Sequence, residues 1–396
     1  MNIAVAEFQR PSLAPAASEA WPFYAQDEID AVAAVLRSGK VNQWTGGTVR
    51  EFEQACEAAF GGGHGIALAN GSLALELALR AFGIGPGDEV IVTPRTFVAS
   101  ASCVRLVGAT PVFADIDRAS GNISAETIGA AITPRTRAVI PVHLGGWPAD
   151  MPAIMALARQ HGVKVIEDCA QSQGAAIGGT PAGGFGDAAA FSFCQDKIIT
   201  TGGEGGYVRF ADPDAYHWAW SFKDHGKNPD KVASNDHPPG FRWLHDSVGT
   251  NWRLTGMQAA IGVRQLAKLA DWTATRARNA AIWRDALAGC EALELPEPDE
   301  GITHAWYRCY FYLREDNAAL RDRILAEAGA RGLRLFSGSC SEAYHEHAFD
   351  DLPRPDLPVA RRLGRTSLAA EVHPTLDPER LAERAAALRE IIESLL

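Results

Sequence analysis

From residue 64 the chain alternates between two rhythms. Short β-rich apolar runs occur at GIALAN (65–70), EVIVTP (89–94), TPVFADID (110–117), RAVIPVHL (137–144), KVIEDCA (164–170), AAAFSF (188–193) and GGYVRF (205–210). Helical runs separate the first five: SLALELALRAF, TFVASASCVRLVG, SAETIGAAI and DMPAIMALARQHG. Strands alternating with helices of this length predict an α/β domain with a mainly parallel, seven-stranded sheet. Only the loop CQDKIITTGGEGG joins the last two runs. Ahead of this pattern, QDEIDAVAAVLRSGK predicts a helix ended by Gly39, with Ile29, Val32, Val35 and Leu36 on one buried face. Residues 213–250 read as irregular, LTGMQAAIGVRQLAKLADWTATRARNAAIWRDAL as a long helix, WYRCYFYL (306–313) as a strand, and NAALRDRILAEAGARG and PERLAERAAALREIIESLL as helices. The texture change at ALELPEPDEG marks off a smaller α+β C-terminal domain.

Composition narrows the function. The 396 residues carry 37 basic and 48 acidic side chains, a formal net charge of −11 without a long basic run, which argues against nucleic acid or an anionic membrane as partner. No stretch of 18 or more apolar residues is present, and the Ala-, Pro- and Ser-rich start (1–22) makes a poor signal peptide. Seven cysteines without a Cys-x-x-Cys pair, Cys103, Cys169 and Cys194 among them in apolar or strand-like runs, read as packed thiols of a cytoplasmic protein. His345, His347 and Asp350 have no metal-site spacing, so no metal is expected.

In an open α/β sheet, ligands collect where strands end. Lys197 follows an apolar strand and precedes a glycine-rich loop; in a shielded site its pKa would fall and make it a Schiff-base nucleophile, whereas an exposed loop lysine is the bland alternative. Asp168 closes KVIED, where it could protonate a pyridine nitrogen or simply cap a turn. Asn70-Gly71-Ser72 joins a strand to a helix whose free N–H groups, with the Ser72 hydroxyl, suit a phosphate; Ser192 adds a second hydroxyl at the same edge. Phe97 could stack on a flat ring or belong to the core. His143 could face a substrate or be satisfied internally. Jointly these are the parts of a pyridoxal phosphate (PLP) site.

At this point the chain resembles the DegT/DnrJ/EryC1/StrS aminotransferases, the sugar aminotransferases of PLP fold type I. The resemblance rests on NGSLALELAL, GDEVIVTPRTFVASASCVRLVGATPVFADID, PVHLGGWPADM, VIEDCAQSQGA, FSFCQDKIITTGGEGG, TNWRLTGMQAAIG and EVHPTL, in family order from about residue 24 to 375. It implies an arm over 1–30, a large PLP-binding domain over 31–268 and a small domain over 269–396. It also implies that Lys197 binds PLP and shuttles the proton, that Asp168 pairs with the pyridine nitrogen, and that Gln171 approaches the ring hydroxyl. Gly71, Ser72 and Ser192 would bind the phosphate, joined by Asn251 from a second subunit of a homodimer with shared sites. Phe97 stands where many relatives have Trp, and Gly145 where many have Tyr. The family loop often reads Lys-Asn-Leu, here Lys-Ile-Ile. The implied reaction moves an amino group, usually from L-glutamate, to a keto group of a nucleotide-linked deoxysugar in amino-sugar, lipopolysaccharide or antibiotic biosynthesis. A cyclic ketone such as an inosose as acceptor, and a PLP-binding regulatory protein, are the alternatives.

Overall fold

The computed structural model describes residues 17–237 and 239–396; the expected arm over 1–30 lies partly outside them. Seven strands form the central sheet: β1 (His64–Leu68), β2 (Glu89–Val92), β3 (Thr110–Phe113), β4 (Thr136–Ile140), β5 (Lys164–Asp168), β6 (Ala188–Ser192) and β7 (Gly206–Phe210). Their order is β1-β7-β6-β5-β4-β2-β3. Only β7 runs antiparallel to its neighbours β1 and β6; the remaining pairs are parallel. Most strand positions are buried because helices cover both faces. Helices Gly71–Ala81, Ala99–Leu106 and Pro213–Phe222 close one face. Thr48–Ala59 and the start of Gly256–Leu287 close the β1 end of the other face, and Ala125–Ala131 and Met151–His161 its β4 end.

A second sheet lies toward the C-terminus. Its four antiparallel strands are Leu293–Glu294, Cys309–Leu313, Ser367–Ala370 and Leu335–Phe336, in that spatial order. Helices Ala318–Ala330 and Pro378–Leu395 and the end of Gly256–Leu287 pack on it through Trp283, Leu287, Ile324, Leu388 and Ile391. The 32-residue helix Gly256–Leu287 therefore serves both sheets without a break at 268/269. A small three-stranded sheet joins Ile302–Thr303 to the hairpin of Ala176–Ile177 and Thr180–Pro181.

Two expectations are corrected. Residues 213–250 are not irregular throughout: Pro213–Phe222 and Pro229–Ala233 are helical, each with proline in the first turn and a capping Asp212 or Asn228 that accepts backbone N–H groups. The aromatic crowding of the first hides a narrow buried stripe, Ala215 and Ala219. In helix Gln26–Ser38, Val35 is buried but Ile29 and Leu36 are more than half exposed, and Glu28 takes the inward position instead. Lys268 explains this, its ammonium lying 3.1 Å from the Glu28 carboxylate.

Candidate active site

The C-terminal edges of the central strands meet at a cavity of about 610 Å³. Lys197, Asp168, Gln171, Gly71, Ser72, Ser192 and Phe97 all line it, so seven of the nine residues singled out from the sequence converge on one space.

Asp168 ends β5 and is 5% exposed. Its Oδ2 accepts the Ser100 hydroxyl at 2.7 Å and its Oδ1 the Ala170 N–H at 3.1 Å. Thr96 Oγ1 lies 2.8 Å from Ser100 Oγ and extends this chain. Burial pushes the Asp168 pKa above its ordinary value, and the two donors offset it only in part.

Asn70 caps helix Gly71–Ala81 by accepting the Leu73 N–H at 3.0 Å, which leaves the first N–H groups of the helix without intrahelical partners. A Cβ on Gly71 would lie 2.6 Å from the Ser192 Cβ, so only glycine lets the helix start approach that hydroxyl. Phe97 is 68% exposed, an aromatic ring bordering the cavity rather than filling the core.

Lys197 Nζ stands 3.4 Å from Asp196 Oδ1 and 5.2 Å from the Tyr307 ring centroid, and the Tyr307 hydroxyl donates to Asp196 Oδ2. The expected fall of the lysine pKa is corrected. Burial does pull it down, but Tyr307 and the Asp196 carboxylate more than offset that, and the net shift is upward. Trp21 Nε1 donates to the Lys197 carbonyl at 3.0 Å and fixes the loop from behind.

Gln171 Oε1 accepts the Gly145 N–H at 2.7 Å. Gly145 has φ 65°, and a Cβ there would lie 2.8 Å from the Tyr310 ring. The aromatic that many relatives would carry at this position is thus excluded by one arriving from the C-terminal sheet.

His143 does not reach the cavity and is fully buried. Its Nδ1 accepts the Ala149 N–H at 3.0 Å, so Nε2 carries the proton and donates to Glu167 Oε2 at 3.1 Å. Glu167 also accepts the N–H groups of Gly183, Phe185 and Gly186. Burial would raise its pKa, but His143 and these donors hold it below the ordinary range. His143, Glu167 and Cys169 are close enough to share an ion, yet both ring nitrogens are spent on hydrogen bonds. Asn251 is exposed and lines neither cavity; its Oδ1 accepts the Arg253 N–H at 3.3 Å. It does not cap the following helix, because Thr255 does.

A second cavity of about 380 Å³ adjoins the first across Lys197, Phe97 and Gln171. Its other wall, Tyr307, Arg308, Tyr310, Phe336, Ser339 and Cys340, comes from the C-terminal sheet and its loops and was not marked in the sequence. The alternation in YRCYFY places Arg308, Tyr310 and Tyr312 on one strand face, the one signal that could have found it. Arg95, fully buried, lies 5.3 Å from the rings of both Tyr310 and Tyr312 and donates to Ser367 Oγ at 2.9 Å, tying the end of β2 to the second sheet.

The parts suit PLP: an amine, a buried acid, a flat ring, and two hydroxyls at a helix start that a Cβ on Gly71 would block. The profile of the DegT/DnrJ/EryC1/StrS aminotransferase family matches residues 22–389. The UDP-N-acetyl-3-dehydro-alpha-D-glucosamine 3-aminotransferase of Acidithiobacillus ferrooxidans is 39% identical over 340 residues, 86% of this chain and 87% of the relative. The GDP-perosamine synthase of Caulobacter vibrioides is 36% identical, over 86% and 89% of the two chains. Among solved structures, an aminotransferase from Psychrobacter cryohalolentis is 48% identical with a TM-score of 0.92, covering 95% of this chain and 99% of that one.

Proposed function

The chain belongs to the DegT/DnrJ/EryC1/StrS family of PLP-dependent aminotransferases, and on that premise we propose that it aminates a keto group of a nucleotide-linked sugar, with L-glutamate as donor. The supporting observation is the junction of the two cavities at Lys197. The first holds the residues that suit a cofactor, and the second is a separate, aromatic-walled space for a sugar-sized substrate. The two curated relatives described above carry nucleotide-sugar products or substrates in their names, which supports the same acceptor class.

When bound, PLP supplies an electron-withdrawing ring that delocalises the electron pair left on a substrate carbon after deprotonation. Lys197 Nζ would hold the cofactor through its amine and would move the proton at the reacting carbon. Asp168 would hold a proton on the ring nitrogen, with Ser100 orienting its carboxylate. Gly71, Ser72 and Ser192 would hold the phosphate, and Phe97 would stack on the ring. Gln171, with its carbonyl oxygen engaged by Gly145, would have its amide N–H₂ available for the ring hydroxyl.

Asn251 of the partner subunit completes the phosphate site in a homodimer. Its exposure, its absence from the linings of both cavities and the exposed Phe241, Trp243 and Val248 shortly before it support an interface there. Seven unpaired cysteines support a cytoplasmic setting. Among the described residues no helix is long and apolar enough to cross a membrane. We place the division between the cofactor-binding and C-terminal domains within helix Gly256–Leu287, near residue 268.

Product mass after incubation with L-glutamate and a panel of nucleotide-ketosugars and inososes tests the acceptor. A nucleotide-sugar gaining an amino group supports the reading; amination of inososes alone overturns it.

A further inference from the structure

Arg308 precedes the strand Cys309–Leu313 and is one of two basic residues lining the second cavity, the other being Lys197. Its guanidinium carbon lies 4.9 Å from the Tyr307 centroid and 5.3 Å from that of Phe336. These two rings fix the plane of the fork, and the Arg308 backbone N–H is anchored on the Gly145 carbonyl at 3.2 Å. Among the described residues the side chain has no hydrogen bond or ion pair. Glu371, a buried acid whose charge Arg308 helps to stabilise, is engaged by Arg334 at 3.3 Å and by His373 at 3.8 Å. A half-buried guanidinium normally finds a carboxylate or phosphate, because its five donors are costly to leave unmet. Here two carboxylates, Asp196 and Glu346, line the same cavity, but neither pairs with the fork: Asp196 is engaged by the Tyr307 hydroxyl and by Lys197, whose Nζ also lies 5.2 Å from the Tyr307 ring centroid.

We propose that Arg308 is the oxyanion anchor of the substrate cavity, holding an anionic group of the substrate while the reacting carbon sits at Lys197. The inference rests on the aminotransferase reading. In that reaction two substrates visit the cavity in turn. The neutral sugar ring offers a guanidinium no ionic partner, but the donor brings carboxylates and the acceptor a diphosphate. Either presents the paired oxygens that the fork matches.

The test uses the PLP-loaded enzyme as wild type, Arg308→Gln and Arg308→Lys, with glutarate and inorganic pyrophosphate as amine-free probes titrated by calorimetry. Arg308→Gln is expected to weaken one or both probes roughly tenfold or more, the loss of a charge-assisted bond. Arg308→Lys should recover part of it, and the visible cofactor band and thermal midpoint should stay at wild-type values. A loss confined to glutarate assigns the carboxylate, and one confined to pyrophosphate the diphosphate. Should Arg308→Gln fail to fold, Arg308→Met, which keeps the stem against both rings, carries the same measurement. Equal affinities of wild type and variant for both probes overturn the proposal. Failure of the aminotransferase reading looks different: L-glutamate leaves the wild-type cofactor band untouched while Arg308→Gln still loses the anion.

Discussion

The two cavities that meet at Lys197 are built in different ways. The cofactor cavity is a row of strand ends: Ser72, Phe97, Asp168 and Ser192 each stand just beyond or at the close of a central strand, and short contiguous motifs deliver them. The second cavity is assembled across the fold. Tyr307, Arg308 and Tyr310 precede or open a strand more than a hundred residues beyond Lys197, and Phe336, Ser339 and Cys340 follow from another. Chemistry that many substrates share can sit on the invariant geometry of a parallel sheet. Selection of one substrate is left to a surface whose parts come from separate elements.

If that division holds, changes to the first wall abolish or cripple every reaction, and changes to the second alter affinity for one substrate. Lys197→Ala is the largest expected effect: no visible cofactor band and no turnover, with the circular dichroism of the folded protein. Turnover above trace level would break the comparison. Asp168→Asn keeps bound PLP but lowers turnover about 100-fold or more, because a neutral amide cannot hold the ring-nitrogen proton; near-normal turnover at full cofactor occupancy contradicts this.

Asn251→Ala tests whether the first wall extends across two chains. Each single variant, Lys197→Ala and Asn251→Ala, is impaired, but a mixed dimer contains one site with both lesions and one with neither. Activity should return toward half of normal per dimer. A heterodimer that forms without recovery places Asn251 in its own chain.

Tyr310→Ala addresses the second wall. It removes the ring that presses on Gly145 and whose hydroxyl accepts the Ser339 N–H at 3.0 Å. KM for the nucleotide-ketosugar should rise roughly tenfold with the cofactor band unchanged; a lost band with unaltered KM would reverse the roles of the two walls. The last expectation concerns pH. The raised pKa of Lys197 leaves little free amine at neutrality, so the rate at which apoenzyme reloads PLP should climb about tenfold per pH unit between 7 and 9. Asp196→Asn removes one source of the upward shift and should speed reloading at pH 7. A flat profile, or no change in Asp196→Asn, contradicts the ion-pair account.

The same contrast explains what was legible in the sequence. All seven central strands are readable because each is a short apolar run bounded by turn residues, and the residues at their ends are those that line the first cavity. His143 stays open between substrate and internal roles in the sequence because a strand-end histidine looks the same whether it points into the cavity or back to a buried Glu167; the Ala149 and Glu167 contacts that decide for the internal role are tertiary. Lys197 was expected to be acidified because burial was visible as a pattern, whereas the Tyr307–Asp196 pair that reverses the shift spans 111 positions. Gly145 stood out as a departure, but its cause, the Tyr310 ring, lies in the other sheet. Helix Pro213–Phe222 was missed because its core contact is two alanines among exposed aromatics. Ile29 and Leu36 followed a helical period yet face outward, since an ion pair with Lys268 seats Glu28 on the inner side.

The most direct test follows the visible cofactor band of one sample of holoenzyme through both half-reactions. L-glutamate should abolish the band with release of one 2-oxoglutarate per site, and a nucleotide-ketosugar added after removal of glutamate should restore it with one amino-sugar formed per site. A band that no amino donor disturbs, or one that glutamate bleaches but no nucleotide-ketosugar restores, would contradict the account.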